Sequence, residues 1–115
     1  GIGTWDWDIP GNRVHTSERF ALMYGLDPGR AQEGLPLAEY VAGIHPEDQA
    51  EVERLIEEAV AAGGDYRSEY RIQTRDGQTR WVIARGRCLR DADGRPVRFP
   101  GVTFDITDRK EVEAR

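Results

Sequence analysis

A single cysteine, Cys88, occurs in the chain, so no internal disulfide can form and a reducing, cytoplasmic compartment is expected. The two histidines, His15 and His45, have no second His or Cys at ligand spacing, which argues against a zinc site. No apolar run approaches the roughly 18–20 residues that cross a bilayer, and the first residues lack the pattern of a signal peptide. Basic residues number 16 against 21 acidic ones, a net charge of −5, which is the wrong balance for a nucleic-acid or anionic-membrane surface. Also missing are a phosphate-cradling glycine loop, an H-E-x-x-H helix and a G-x-S-x-G elbow. "DADG" (Asp91–Gly94) lacks the later ligands of a calcium loop and reads as a turn. Without these constellations the chain is not expected to be an enzyme. There are no internal repeats or low-complexity stretches to suggest an array.

What remains is a soluble composition, 38% hydrophobic and 32% charged, in 115 residues, enough for one domain. In "GTWDWDI", Trp5, Trp7 and Ile9 alternate with Thr4, Asp6 and Asp8, the period of a half-buried strand. "PGN" turns the chain into a short return strand, "RVH". "TSERFALMYG" predicts a helix capped by Thr16 or Ser17, with Phe20, Met23 and Tyr24 on one face. "LDPGRAQEGLP" is expected to be loop because of its Pro and Gly residues. "LAEYVAGI" makes about two helical turns with Leu37, Tyr40, Val41 and Ile44 together. The clearest helix follows His45. Pro46 suits its first position, Glu47 and Asp48 its positive end, and Val52, Leu55, Ile56, Ala59 and Val60 its apolar stripe, before Gly63 and Gly64 end it. The polar face of that helix carries Glu51, Glu53, Glu57 and Glu58, a solvated acidic face rather than acid–base machinery. Three strands remain, "DYRSEYRIQT", "TRWVIARGRCLR" and "VRFPGVTFDIT", joined by turns at Arg75–Gln78 and 91–96. This order predicts an α+β domain, an antiparallel sheet with helices on one face.

The stretches "GTWDWDI", "IHPEDQ", "EYRIQTRDGQTRWV", "GRPVRFPGVTFDIT" and "DRKEVE" occur in the order, and over nearly the whole length, of a PAS domain, which the chain resembles. The resemblance implies a PAS fold with a five-stranded antiparallel sheet and short helices on one face. It implies a cytoplasmic sensory or dimerisation domain over residues 1–106, with 107–115 opening a C-terminal signalling helix. The parent would be a bacterial sensor histidine kinase of a two-component system or, alternatively, a cyclic-dinucleotide enzyme. A ligand-free dimerisation module is the other reading.

The family's ligand cavity lies between helices and sheet. Matched to it, the inward side chains would be Trp5, Trp7, Tyr66, Ser68, Tyr70, Ile72, Val82, Ala84, Gly86, Cys88, Phe99, Gly101 and Thr103, and the alternation within each strand agrees. They are either plain core or the wall of a pocket for an unidentified small molecule. The Val82–Cys88 row is small, and the two indoles could fill the space it leaves. The resemblance also argues against two cofactors: no His lies between Glu47 and Ala62 to ligate haem, and no helical N-C-R-F-like cysteine is present for flavin photochemistry. His45 is expected to cap its helix, and Cys88 to fill core. The opposite face carries Trp81, Ile83, Val102 and Phe104, an apolar patch on adjacent strands. Either the stems of Arg85, Arg87 and Arg98 shield it, or it docks a second copy or an upstream amphipathic helix. At the C-terminal junction, Asp105, Thr107, Asp108 and Arg109 are expected to couple the last strand to the signalling helix. Thr107 or Asp108 would cap that helix with Glu111 at the capping-box position, and Asp105 would hold the junction through hydrogen bonds or an arginine.

Overall fold

Trp5 and Trp7 alternate with Thr4, Asp6 and Asp8, and that period of two sets the first strand, β1 (Ile2–Asp8). The computed structural model describes residues 1–74 and 77–114. After β1 come β2 (Arg13–Thr16), α1 (Glu18–Met23), α2 (Pro28–Glu33), α3 (Leu37–Val41) and α4 (Pro46–Ala62). Then follow β3 (Gly64–Gln73), β4 (Thr79–Arg90), β5 (Pro96–Asp105) and α5 (Thr107–Glu113). The five strands form one antiparallel sheet in the order β2-β1-β5-β4-β3, so the first and last strands are neighbours at its centre.

Caps and turns account for most element ends. Ser17 Oγ accepts from the Phe20 amide at 3.2 Å to start α1. His45 Nδ1 accepts from the Glu47 amide at 3.1 Å to start α4, the capping role expected of it. Pro46 occupies the first turn of that helix, and Gly63, at φ 67°, ends it. In the turn before β5, the Asp91 carboxylate accepts from the Asp93 and Arg95 amides at 2.9 and 3.0 Å. The hairpin expected at Arg75–Gln78 lies partly outside the described residues; on its flanks the Thr74 amide donates to the Gln78 carbonyl at 2.9 Å.

The loop expected over 26–36 is corrected: it contains α2. Pro28 is not a breaker here but, with Asp27, a start signal: the Asp27 carboxylate accepts from the Gly29 amide at 3.1 Å and Pro28 sits in the first turn. Ala31 of this helix is fully buried. Leu35 then exchanges backbone hydrogen bonds with Val14 at 2.7 and 3.1 Å, pinning the helical segment to β2.

Helices α1 to α4 cover one face of the sheet. Tyr66, Ser68, Tyr70 and Ile72 of β3 are buried there, as are Val82, Ala84 and Cys88 of β4 and Phe99 and Thr103 of β5. Val52 and Ala59 of α4 are buried against them, with Leu55, Ile56 and Val60 partly so. α5 breaks the one-sided arrangement. It leans on the opposite face, where the Lys110 ammonium lies 5.0 Å from the centre of the Trp81 ring.

Candidate functional site

Between the helices and the sheet lies a cavity of about 60 Å³. Of the inward residues expected from the sequence, Trp5, Trp7, Tyr66, Tyr70, Ala84 and Phe99 line it. Ser68, Ile72, Val82, Cys88 and Thr103 are buried beside it in the core, with Gly86 and Gly101 beneath Trp5. The remaining wall comes from Val14 and from helical side chains: Phe20, Tyr24, Leu37, Tyr40, Val41, Ile44, Val52 and Ile56. The sequence puts most of these on apolar helix faces but assigns none of them to a cavity. Strand alternation says which way a strand side chain points, but nothing in helix periodicity says which turn of a short helix stands over a void.

Trp5 explains the small volume. Gly86 and Gly101 face each other across β4 and β5, and the Trp5 ring lies over the hollow they leave. A Cβ at Gly86 would stand 2.6 Å from Trp5 Cη2. Trp5 Nε1 donates to Thr103 Oγ1 at 3.0 Å, which satisfies the polar atoms of both groups inside the core. Phe99 packs between the two indoles, with ring centres 5.5 Å from Trp5 and 6.1 Å from Trp7. Small residues on β4 and β5 therefore do create room, and an indole occupies it.

All four tyrosines of the chain border this cavity. The Tyr24 and Tyr70 hydroxyls are hydrogen-bonded to each other, and Tyr40 donates to the Val14 carbonyl at 3.0 Å. Burial pushes the Tyr24 and Tyr70 hydroxyls well above the usual phenol range. Burial also raises Tyr66 to about 12, against a smaller lowering by Ser68, and raises Tyr40. These hydroxyls are neutral donors and acceptors at physiological pH, not acids or bases. Cys88 is buried on β4, and burial raises its thiol despite nearby Arg90. Among the described residues no group of three or more His, Cys, Asp and Glu could hold a metal ion. His15 Nδ1 is 3.0 Å from the Gln32 carbonyl. A site for a cofactor of flavin or haem size needs about 300–1,000 Å³. The interior offers room for a few water-sized groups.

A second constellation sits where β5 becomes α5. Asp105 Oδ1 accepts from the Thr107 amide at 2.9 Å and from Thr107 Oγ1 at 2.6 Å. Asp105 Oδ2 accepts from Arg80 Nε at 2.7 Å. Burial alone would push the Asp105 carboxyl up, but the bonds from Thr107 and Arg80 outweigh it and hold it below the usual carboxylate range. The Trp81 amide donates to Thr107 Oγ1 at 3.0 Å, and the Ile106 amide to the Trp81 carbonyl at 2.8 Å. The junction is thus laced to β4 by backbone and side chain together. Two expectations change. Neither Thr107 nor Asp108 caps α5, whose N-cap is Ile106 with no side-chain bond; Thr107 is the first helical residue, and its amide is taken by Asp105. Arg109 points away and pairs with Glu113 at 3.5 Å, so the arginine at the junction is Arg80. Sequence reasoning missed Arg80 because only the Val82–Asp105 register brings it there.

On the outer face the four expected apolar residues differ in exposure. Ile83 is buried, while Trp81, Val102 and Phe104 are half-buried. Trp81 lies under two cations, with Arg71 5.4 Å from the ring centre and Lys110 at 5.0 Å, and Lys110 also bonds Glu69 at 2.5 Å. Arg71 is in turn held by the Asp48 carboxylate at 2.8 Å, which ties the start of α4 to the same corner. Arg98 turns to Asp6 rather than over the patch. Ile2, on the same face, is 55% exposed.

A family model described as the PAS fold matches residues 13–103. A blue-light-activated histidine kinase of Brucella anthropi is 30% identical over 113 residues, 98% of this chain and 22% of that protein. A probable diguanylate cyclase of Escherichia coli is 26% identical over 97% of this chain, which spans 10% of its length. The crystal structure of a sensory box histidine kinase/response regulator from Burkholderia thailandensis superposes with a TM-score of 0.82 at 31% identity, covering 98% of this chain and 82% of that one. The chain therefore corresponds to about a fifth or less of the curated relatives just named.

Proposed function

The chain belongs to the PAS fold family, and from that membership we propose that it is a cytoplasmic sensory module regulating an output unit C-terminal to α5, a sensor histidine kinase in the first reading. Similarity to the Brucella and Burkholderia kinases supports that output. The likeness to the Escherichia coli cyclase supports a cyclic-dinucleotide output as the second reading. The single observation that carries the regulatory reading is the Asp105 clasp. One carboxylate holds the strand end, the first turn of α5 and Arg80 of the neighbouring strand, so a shift in the sheet must move the helix. A stimulus acts through this only by favouring one arrangement of the junction over the other.

The interior supports a module that works without a bound flavin or haem. Trp5 fills the hollow over Gly86 and Gly101, about 60 Å³ remain, and the one cysteine lies on β4. The stimulus would then be a partner or a very small molecule, and the working unit a homodimer. The expected outcome for Asp105→Ala in the intact parent is output that no longer follows the stimulus, while the isolated domain still melts cooperatively. Regulation indistinguishable from the unaltered parent would refute the reading. A visible absorption band retained by the purified protein would refute the cofactor-free part of it.

A further inference from the structure

We propose that the groove between α3 and α4 docks a basic amphipathic helix of a partner protein, with Glu53 and Glu57 as its charged rim. The proposal deepens the sensory reading above by giving the partner a chemistry, and it rests on that reading for its consequence.

α3 and α4 stand apart, and between them runs an open groove of about 620 Å³. Trp7, Leu37, Val41, Ile56 and Val60, all half-buried, form most of its apolar wall. The first four of these also line the interior cavity, so the groove lies just outside it. It follows α4 from Gln49 to Ala61, about 18 Å at 1.5 Å per residue. Asn12 fixes its floor and one wall together. Asn12 Oδ1 accepts from Trp7 Nε1 at 3.1 Å and from the Leu37 amide at 3.3 Å.

Charge is spread unevenly around the groove. Residues 37–62 hold seven acidic residues and one arginine, whereas the rest of the chain holds 15 basic and 14 acidic residues, so the net charge of −5 resides here. Of the six acids of α4, Glu47 and Asp48 pair with Arg71, and Glu51 and Glu58 pair with Arg54. Glu53 and Glu57 have no ion-pair partner among the described residues, and they are the two α4 carboxylates that line the groove. They stand one turn apart, a like-charge spacing that weakens a helix until a cation offsets it.

This combination selects the occupant. An anionic membrane or a nucleic acid would be repelled. An added strand has nothing to pair with, because both walls are helices whose backbone groups are bonded internally. An amphipathic helix fits: its apolar stripe meets Trp7, Val41 and Ile56, and Lys or Arg at i, i+4 spacing matches the two carboxylates. A second copy of this chain does not supply such a helix. Among the described residues only α5 carries two cations on one helix, and Val112 is its one apolar side chain. Trp7 also packs on Phe99 of β5 at 6.1 Å between ring centres, so a helix seated on Trp7 bears on the strand that ends at Asp105.

The test uses the 115-residue chain and labelled peptides of about 16 residues, long enough to populate a helix. Each peptide carries a Leu stripe and a Lys pair at i, i+4, in several relative registers, with Ala elsewhere. A Glu-for-Lys peptide and a stripe-scrambled peptide are the controls. Fluorescence anisotropy is expected to show saturable binding by at least one Leu/Lys register and by neither control. Glu53→Gln with Glu57→Gln is expected to weaken that binding about three- to tenfold. Ala38→Gln, which narrows the groove from its exposed α3 side, is expected to weaken it about tenfold. Glu51→Gln with Glu58→Gln removes the same charge from the same helix away from the groove, and is expected to change binding less than about twofold. Unchanged thermal melts certify the fold of each variant. No binding in any register, equal losses from the two double variants, or phenethylammonium binding as tightly as the peptide would each overturn the proposal. The Asp105→Ala chain is expected to bind the peptide as the unaltered chain does, so a failed groove and a failed regulatory reading are told apart.

Discussion

Trp5 is the residue on which the interior depends. Its ring lies over two glycines that leave room for nothing larger, and its N–H is spent on Thr103. A Cβ at Gly101 would meet both the Trp5 ring and the Arg85 carbonyl oxygen, and the carbonyl is backbone that cannot yield. Gly101→Ala is therefore expected to cost about 1–3 kcal/mol as an overpacked core, a fall in melting temperature of roughly 4–12 °C. Trp5→Phe in the same chain should recover part of that loss, and strictly additive costs would show that the crowding lies elsewhere. The tyrosines give a second residue-scale outcome. Each is harder to ionise in the folded chain, mainly through burial, with Tyr66 raised from 10.0 to about 12. Above pH 10 the unfolded chain has released protons that the folded chain still holds. Stability from these groups is thus complete below about pH 10 and is lost as pH rises toward and through the folded values. Phenolate absorbance should stay near zero at pH 10 and then rise together with unfolding. A quarter of the tyrosine signal titrating at pH 10 with the fold intact would contradict it.

At the scale of elements, two carboxylates hold helices to strands: Asp48 fastens α4 to β3 through Arg71, and Asp105 fastens α5 to β5. Bonds from Arg71 lower Asp48 against a smaller upward push from burial, and Asp105 is lowered on balance as well. A depressed carboxylate stabilises fully above its unfolded value, near 4, and less as pH falls through its folded one. Below about pH 4 the amides of α5 should exchange faster before those of β3 and β4, since α5 has no buried residue and a short helix is marginal alone. Uniform protection across the chain at pH 3 would count against this. Lys110→Ala tests the same helix from its other side. Loss of the contact over Trp81 and the bridge to Glu69 is expected to speed α5 exchange roughly two- to fivefold and to shift Trp81 fluorescence. The strands and α4 were legible in the sequence because an alternating row or an unbroken apolar stripe is a local signal, as in Tyr66–Ile72 and Val52–Val60. α2 was not, because Asp27 and Pro28 serve equally as turn or helix start until Leu35 docks on Val14. The N-cap of α5, expected at Thr107 or Asp108, lies one or two residues earlier at Ile106 for a similar reason. The group that takes its first amide, Asp105, belongs to the strand before it. Asp105 itself was legible as the junction residue, but its partner Arg80 was not, since that contact depends on strand register.

For the whole molecule, the decisive fact is that the chain's two ends meet at the centre of the sheet. β1 and β5 share seven register pairs, from Ile2 with Phe104 to Asp8 with Arg98, and the Asp105 amide donates to the Gly1 carbonyl at 3.1 Å. The family match begins only at residue 13, which would suggest that the first strand is dispensable. The structure argues otherwise. Without residues 1–9, β5 becomes an open edge with its backbone groups unpaired, β2 loses the strand it pairs with, and the hollow over Gly86 and Gly101 is emptied of Trp5. Removing a core Trp alone costs about 3–5 kcal/mol, against a total stability of about 5–15 kcal/mol for a domain. A chain starting at residue 10 is therefore expected to lose its cooperative thermal transition and its near-ultraviolet signal. A chain ending at residue 107 gives the contrast. It removes most of α5, where no residue is buried, but keeps Thr107 on Asp105 and Trp81, and should melt within a few degrees of the full chain. If the shortened N-terminus still melts cooperatively, the central strand pair is not what holds this sheet together.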